Sequence, residues 1–121
     1  MKSKFNNLII QCDARLIDAI ELIKDNRTRC VIVCMKEKVI GVISEGDILR
    51  ALLANTDIHA PLEGWVSHDF KFLSSQDYQQ ALNLMIEYAI TIIPILNNNF
   101  ELVDVISSKD ILAKVSLIKE H

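Results

Sequence analysis

Apolar and polar positions along the chain alternate in short runs of two kinds. Leu8-Ile9-Ile10 is short enough for a strand. From there Leu16, Ala19, Ile20 and Ile23 recur at i, i+3, i+4 and i+7, the stripe of an amphipathic helix capped by Asp13 and ending near Asn26. Ile17 and Leu22 lie off that stripe and widen its apolar face. Cys30-Val31-Ile32-Val33-Cys34 is a β-branched run that predicts a strand buried on both faces. Lys36-Glu37-Lys38 is its charged turn, and Val39 to Ile43 is the returning strand. At Ser44 the period changes from that of a strand to that of a helix, with Ile48, Leu49, Leu52 and Leu53 as the predicted inward side and a close near Asn55. Strand, helix, strand, strand, helix is then complete within residues 1–57.

Asn55 to Ser67 carries Pro61 and Gly64 and no sustained period, so it predicts a connection anchored by Trp65 and Val66, with residues 58–69 as the linker. The same order of elements returns in residues 70–121. Phe70 to Leu73 reads as a strand, and Ser74 or Ser75 can cap a helix whose Tyr78, Ala81, Leu82 and Met85 repeat the first stripe 62 positions later. Ile92 to Leu96 corresponds to the Cys30 strand, Asn97-Asn98-Asn99 is a turn, and Phe100 to Ile106 returns. Pro94 must sit where no ladder hydrogen bond is donated. A last helix starts at Ser107 and runs through Ile111, Leu112 and Val115 to a frayed tail at His121. At the strand-to-helix junction the echo is literal: Val42-Ile43-Ser44-x-x-Asp47-Ile48-Leu49 recurs 63 positions on as Val105-Ile106-Ser107-x-x-Asp110-Ile111-Leu112. The two offsets differ by one residue, which places a single insertion near Glu87 to Ala89. Two tandem copies of one α/β unit are the simplest account.

Composition narrows the function. A half of about 60 residues buries only about 60% of its unfolded surface, so neither half is expected to be comfortable alone. Half of the 121 residues are apolar and 24% are charged, as in an ordinary globular protein. A net charge of −3 without any cluster of Lys and Arg argues against nucleic acid as a partner. Cys12, Cys30 and Cys34 sit in apolar runs and make no C-x-x-C pair, which predicts buried free thiols in a reducing cytoplasm and leaves zinc and redox chemistry as weak readings. His59, His68 and His121 have no ligand-spaced partner, so no metal is expected. The apolar stretches are short and interrupted, for instance by Thr91 and Pro94, and the N-terminus lacks a basic segment followed by an apolar one, so neither a membrane span nor secretion is expected. No nucleophile is paired with a base and no phosphate loop is present, which makes catalysis the weakest reading.

Candidate chemistry is confined to the repeated junction. Ser at an N-cap with Asp three residues later is a capping arrangement worth about 0.5 to 2 kcal/mol. A single copy needs no further explanation, whereas two copies at equivalent places in a duplicated unit call for one. Gly41-Val42-Ile43-Ser44-Glu45-Gly46-Asp47-Ile48 in the first half, and Ile93-Pro94-Ile95-Leu96 with Val105-Ile106-Ser107-Ser108-Lys109-Asp110-Ile111 in the second, carry a likeness that spans about residues 8 to 116. On these residues both halves resemble CBS domains, the repeats that pair as Bateman modules.

The resemblance implies two repeats packed as a pseudo-twofold pair, with two clefts able to hold AMP, ADP or ATP and, as a less favoured ligand, S-adenosylmethionine. It implies no required cofactor. Asp47 and Asp110 would accept hydrogen bonds from the ribose hydroxyls, and Ser44 and Ser107 would lie beside ribose or phosphate. The free N–H groups at each helix start suit a phosphate, and Gly46 permits close approach. Arg29, Arg50 and Lys109 are the expected charge partners. Adenine would lie against Thr28 to Val31 and Thr91 to Ile93, which brings in Thr28, Cys30, Thr91 and Ile93. Asp104 stands where the first copy has Gly41, and Ser108-Lys109 replace Glu45-Gly46, so the clefts should differ in charge and room. Glu45 beside the first helix start would repel a phosphate.

A finer likeness is to the CBS pair N-terminal to sugar-phosphate nucleotidyltransferase domains, carried by Glu45-Gly46-Asp47-Ile48, Ala51-Leu52-Leu53 and the acidic linker to Asp57. It implies a regulatory module with a C-terminal catalytic domain as partner, and the family resemblance implies a homodimer in either case. The alternative is a ligand-free dimerisation module using exposed helix faces that include Ile17, Leu22, Leu84 and Ile86.

Overall fold

The computed structural model describes the backbone of residues 5–119 and the side chains of residues 5–115; His121 and the tail expected there lie outside the described residues. The chain divides into two compact units, one ending at Phe70 and the other beginning at Lys71. In the first, β1 (Ile9–Gln11), α1 (Leu16–Asn26), β2 (Cys30–Met35), β3 (Lys38–Ser44) and α2 (Glu45–Leu53) follow in order. β1 runs parallel to β2 with Ile10 opposite Val33, and β3 runs antiparallel to β2 with Ser44 opposite Cys30. A parallel pair requires a crossover, and α1 supplies it. Ile10, Leu16, Ala19, Val31, Val33, Ile43, Ile48, Ala51 and Leu62 form the core. Each large aliphatic side chain buried there contributes about 1.5 to 3 kcal/mol. β2 is buried at four successive positions, Val31 to Cys34, as its unbroken apolar run requires.

Three expectations for this unit are corrected. The N-cap of α1 is Arg15 rather than Asp13, and the Asp18 carboxylate accepts from the Arg15 N–H at 3.0 Å and pairs with its guanidinium at 3.2 Å. The helix cannot begin earlier because the Leu62 N–H donates to the Ala14 carbonyl and the Leu16 N–H to the Ala60 carbonyl. The inward side of α2 is Asp47, Ile48 and Ala51, not its leucines: Leu49, Leu52 and Leu53 are 60%, 43% and 85% exposed. At 100° per residue, Leu49 and Leu53 face away from Ile48 and Ala51, and Leu52 lies on the flank. The segment after α2 also packs into this unit. Trp65 and Val66 pack against the core as expected, but the deepest anchor is Leu62, which is fully buried. Val42 and Ser67 exchange backbone hydrogen bonds of 3.0 and 2.8 Å. A Cβ on Gly41 would lie 2.5 Å from both the Ser67 carbonyl oxygen and Val66 Cγ1, so this crossing admits only glycine.

The second unit repeats the plan with α3 (Tyr78–Tyr88), β4 (Ile92–Leu96), β5 (Leu102–Ser107) and α4 (Ser108–Lys119). The strand expected at Phe70 to Leu73 is reduced to one residue. The Leu73 N–H donates to the Pro94 carbonyl at 3.0 Å, and the Leu96 N–H donates to the Leu73 carbonyl at 2.9 Å. That edge faces Leu73, so the missing N–H of Pro94 costs no bond between β4 and β5. α3 is capped by Asp77, which accepts from the Gln80 N–H at 3.1 Å, rather than by Ser74 or Ser75. The insertion is not near Glu87 to Ala89. The 62-residue offset holds through the left-handed C-caps Arg27 and Ala89 and through β2 and β4, and it changes only at the turn that precedes β5. Leu73, Ala81, Met85, Ile93, Ile95, Ile106 and Ile111 form this core, while Leu112 and Val115 are exposed. Of the four side chains assigned to a dimer face, Leu22 and Leu84 pack on their own cores and Ile86 is exposed. Among the described residues, no helix is long and apolar enough to cross a membrane.

Candidate functional site

Each unit brings one strand-to-helix junction together with the start of its central strand. In the first, Ser44 ends β3 in an extended conformation and caps α2. Its hydroxyl accepts from the Asp47 N–H at 3.2 Å, and its own N–H donates to Asp47 Oδ2 at 2.8 Å. The hydroxyl also lies 3.0 Å from Oδ2 and can donate to it. Oδ1 of Asp47 pairs with the Arg50 guanidinium one turn along the same helix. Asp47 is only 8% exposed, whereas the Arg50 side chain is 66% exposed. Both Asp47 oxygens are therefore occupied.

The opposite wall comes from the chain between α1 and β2. The Glu45 N–H donates to the carbonyl of Arg29, whose left-handed φ of 69° turns the chain into β2. Asn26, buried at the C-terminus of α1, donates to the Asn7 carbonyl at 2.8 Å and to the Cys30 carbonyl at 3.2 Å. Its Oδ1 accepts from the Thr28 N–H at 2.8 Å. The Thr28 hydroxyl lies 2.9 Å from both Asn26 Oδ1 and the Cys30 carbonyl, within reach to donate to either. Burial pushes the Cys30 thiol up to about 12 against the opposing effect of Arg29, so it is a neutral wall at ordinary pH. Thr28, Arg29, Cys30, Ser44, Gly46, Asp47 and Arg50 are thus gathered around one junction. Asn26, which bonds to Thr28 and Cys30, was not singled out from sequence; its place at the end of the first helical stripe was the available signal.

The second junction has the same frame with fewer internal bonds. The Ser107 N–H donates to Asp110 Oδ2 at 2.8 Å, the Asp110 N–H donates to the Ser107 hydroxyl at 3.2 Å, and the Ser108 N–H donates to the Thr91 carbonyl at 2.8 Å. Thr91, Ser107 and Asp110 therefore meet as expected, and Lys109 is exposed beside them. Ile93 is fully buried in its unit's core, so its side chain packs with Ile106 and Ile111. Asp110 is exposed, and its Oδ1 has no partner among the described residues. Ala113 stands where the first copy has Arg50. Among the described residues, no group of three or more His, Cys, Asp or Glu could hold a metal ion.

The chain is similar to known proteins along most of its length. It is 29% identical over 92 residues to an uncharacterised 17.7 kDa protein of Acidianus ambivalens, a match covering 75% of this chain but only 56% of that protein. A CBS domain protein from Pyrobaculum aerophilum complexed with AMP superposes with a TM-score of 0.74 at 23% identity, over 91% of each chain. CBSX2, also in complex with AMP, superposes with a TM-score of 0.77 at 18% identity, over 94% of this chain and 91% of its own. At these identities the two structures show a shared fold. The model of the CBS domain matches twice, at residues 4–54 and 66–117, so that the α/β repeat and the duplicated junction have one explanation: the chain belongs to the CBS-domain family, as a tandem pair.

Proposed function

We propose that this chain is a non-catalytic regulatory module that binds an adenosine nucleotide, AMP, ADP or ATP, at one or both of its Ser-x-x-Asp junctions. The observation that carries the reading is Asp110, an exposed carboxylate at the first turn of α4 whose Oδ1 has no partner among the described residues. An acceptor oxygen beside the N-terminal N–H groups of a helix matches a ribose hydroxyl next to a phosphate. The AMP complexes of two similar structures support the same ligand class. In this reading Asp47 and Asp110 hold ribose, Ser44, Ser107 and Gly46 line the ribose and phosphate, Arg29 and Lys109 supply charge, and adenine lies against Thr28 to Val31 and Thr91 to Ile93. The style of Glu45 to Asp57 supports a sugar-phosphate nucleotidyltransferase domain as the regulated partner, in a cytoplasmic homodimer. Calorimetric titration with AMP, ADP, ATP and S-adenosylmethionine tests this. A hydrogen bond to a charged group is worth roughly 1.5 to 3 kcal/mol, so Asp110→Ala should weaken binding about tenfold or more. Unchanged binding in both Asp47→Ala and Asp110→Ala removes the ribose assignment.

The exposed leucines of α2, with Leu112 and Val115 of α4, favour a second reading as a ligand-free dimerisation module. A dimer in sedimentation with no nucleotide-dependent rise in melting temperature would select it.

A further inference from the structure

The two junctions differ at one position that decides whether the aspartate is available. Arg50 lies one turn into α2, and its guanidinium folds back toward the helix start. Nη2 pairs with Asp47 Oδ1, while Nη1 comes within 3.7 Å of where a Cβ on Gly46 would stand. A Cβ there would be in ordinary van der Waals contact with the guanidinium, which lies over the first turn. Ser44 already takes Asp47 Oδ2 through its N–H and its hydroxyl, so Arg50 engages the remaining oxygen. In the second unit Ala113 replaces Arg50, Lys109 replaces Gly46, and Asp110 Oδ1 stays without a partner among the described residues.

We infer that Arg50 is a built-in plug of the first junction, holding the Asp47 oxygen that a ligand's hydroxyls would use, so that the second junction fills first. This rests on the reading of the junctions as nucleotide sites. It assigns Arg50 a role opposite to that of a phosphate partner. The plug is displaceable, because an ion pair to a guanidinium this exposed is weak, and removing it should gain about two- to fivefold in affinity.

The test uses the full chain and AMP as the probe in calorimetry, with circular dichroism confirming that each variant is folded. In the Asp110→Asn background, where the first junction is left to bind alone, adding Arg50→Ala should tighten AMP about two- to fivefold, and Arg50→Lys should fall between. In the otherwise unchanged chain, Asp110→Asn should remove the tighter binding event and Asp47→Asn should leave it. Equal or weaker AMP binding on adding Arg50→Ala overturns the plug while leaving the nucleotide reading intact. Absence of binding heat for AMP, ADP and ATP in the unsubstituted chain overturns the nucleotide reading and the plug together.

Discussion

The first junction has both aspartate oxygens engaged and the second only one among the described residues, although both are built on the same four letters, Val-Ile-Ser-x-x-Asp counted without its variable pair. Asp47 is buried, receives Ser44 on one oxygen and Arg50 on the other, and faces a wall fixed by the Asn26 network. Asp110 is exposed, receives Ser107 on one oxygen, and has Tyr88 rather than Asn at the position matching Asn26. A carboxylate with both oxygens engaged supports its helix start well and offers less to a ligand. One left partly unfilled contributes less to the fold and remains able to bind. Duplication thus yielded two junctions with one frame and different hydrogen-bond occupancy of the aspartate.

The largest way to break this comparison is at the crossing that, among the described residues, is seen in the first unit alone. Leu62→Ala should cost about 2 to 5 kcal/mol in chemical denaturation, because it empties a fully buried site. Gly41→Asp should be as damaging, whereas Asp104→Gly at the matching place should be mild; equal losses would mean that the crossing does not distinguish the units. Next comes the Asn26 network. Asn26→Ala should lower stability by about 1 to 3 kcal/mol by removing its bonds to the Asn7 and Cys30 carbonyls and to Thr28, while Tyr88→Ala should cost less.

The aspartates themselves should show opposite orders in two assays. Asp47→Ala should destabilise the chain by about 1 to 2 kcal/mol through the lost cap, and Asp110→Ala by less, while Asp110→Ala should cost more nucleotide affinity than Asp47→Ala. The smallest effect is alkaline. The Cys30 thiol, ordinarily near 9.0, is pushed up to about 12 in the folded chain, so the fold favours its protonated form. That contribution is fully present below pH 9 and is lost as pH rises toward 12, and Cys30→Ala should flatten this part of the stability profile. Ile92, at the matching place in the second unit, does not titrate.

Much of the fold was legible because its signals are local. The run Cys30 to Cys34, the stripe Leu16, Ala19 and Ile23, and the duplicated Val-Ile-Ser are set by neighbours a few residues apart. The same periodicity misplaced Leu49, Leu52 and Leu53, because an apolar residue on a short helix is turned inward only if a partner covers that side. It also missed Leu62, whose burial depends on residues 58–67 returning to Ala14, Leu16 and Val42.

At the candidate site, residue types and spacing named Ser44, Asp47, Ser107 and Asp110, and they meet as expected. Spacing could not say which aspartate is free. Arg50 at i+3 is compatible with a side chain extended into water or folded back over Gly46, and only the packed first turn of α2 selects between them. The amino-acid order by itself determined the two repeats, most of their elements and the residue types each junction carries, since these follow from backbone periodicity and side-chain type. Tertiary structure alone decided which side of each helix is covered and which carboxylate keeps an open acceptor, since burial and hydrogen-bond saturation depend on residues that are distant in sequence or free to rotate.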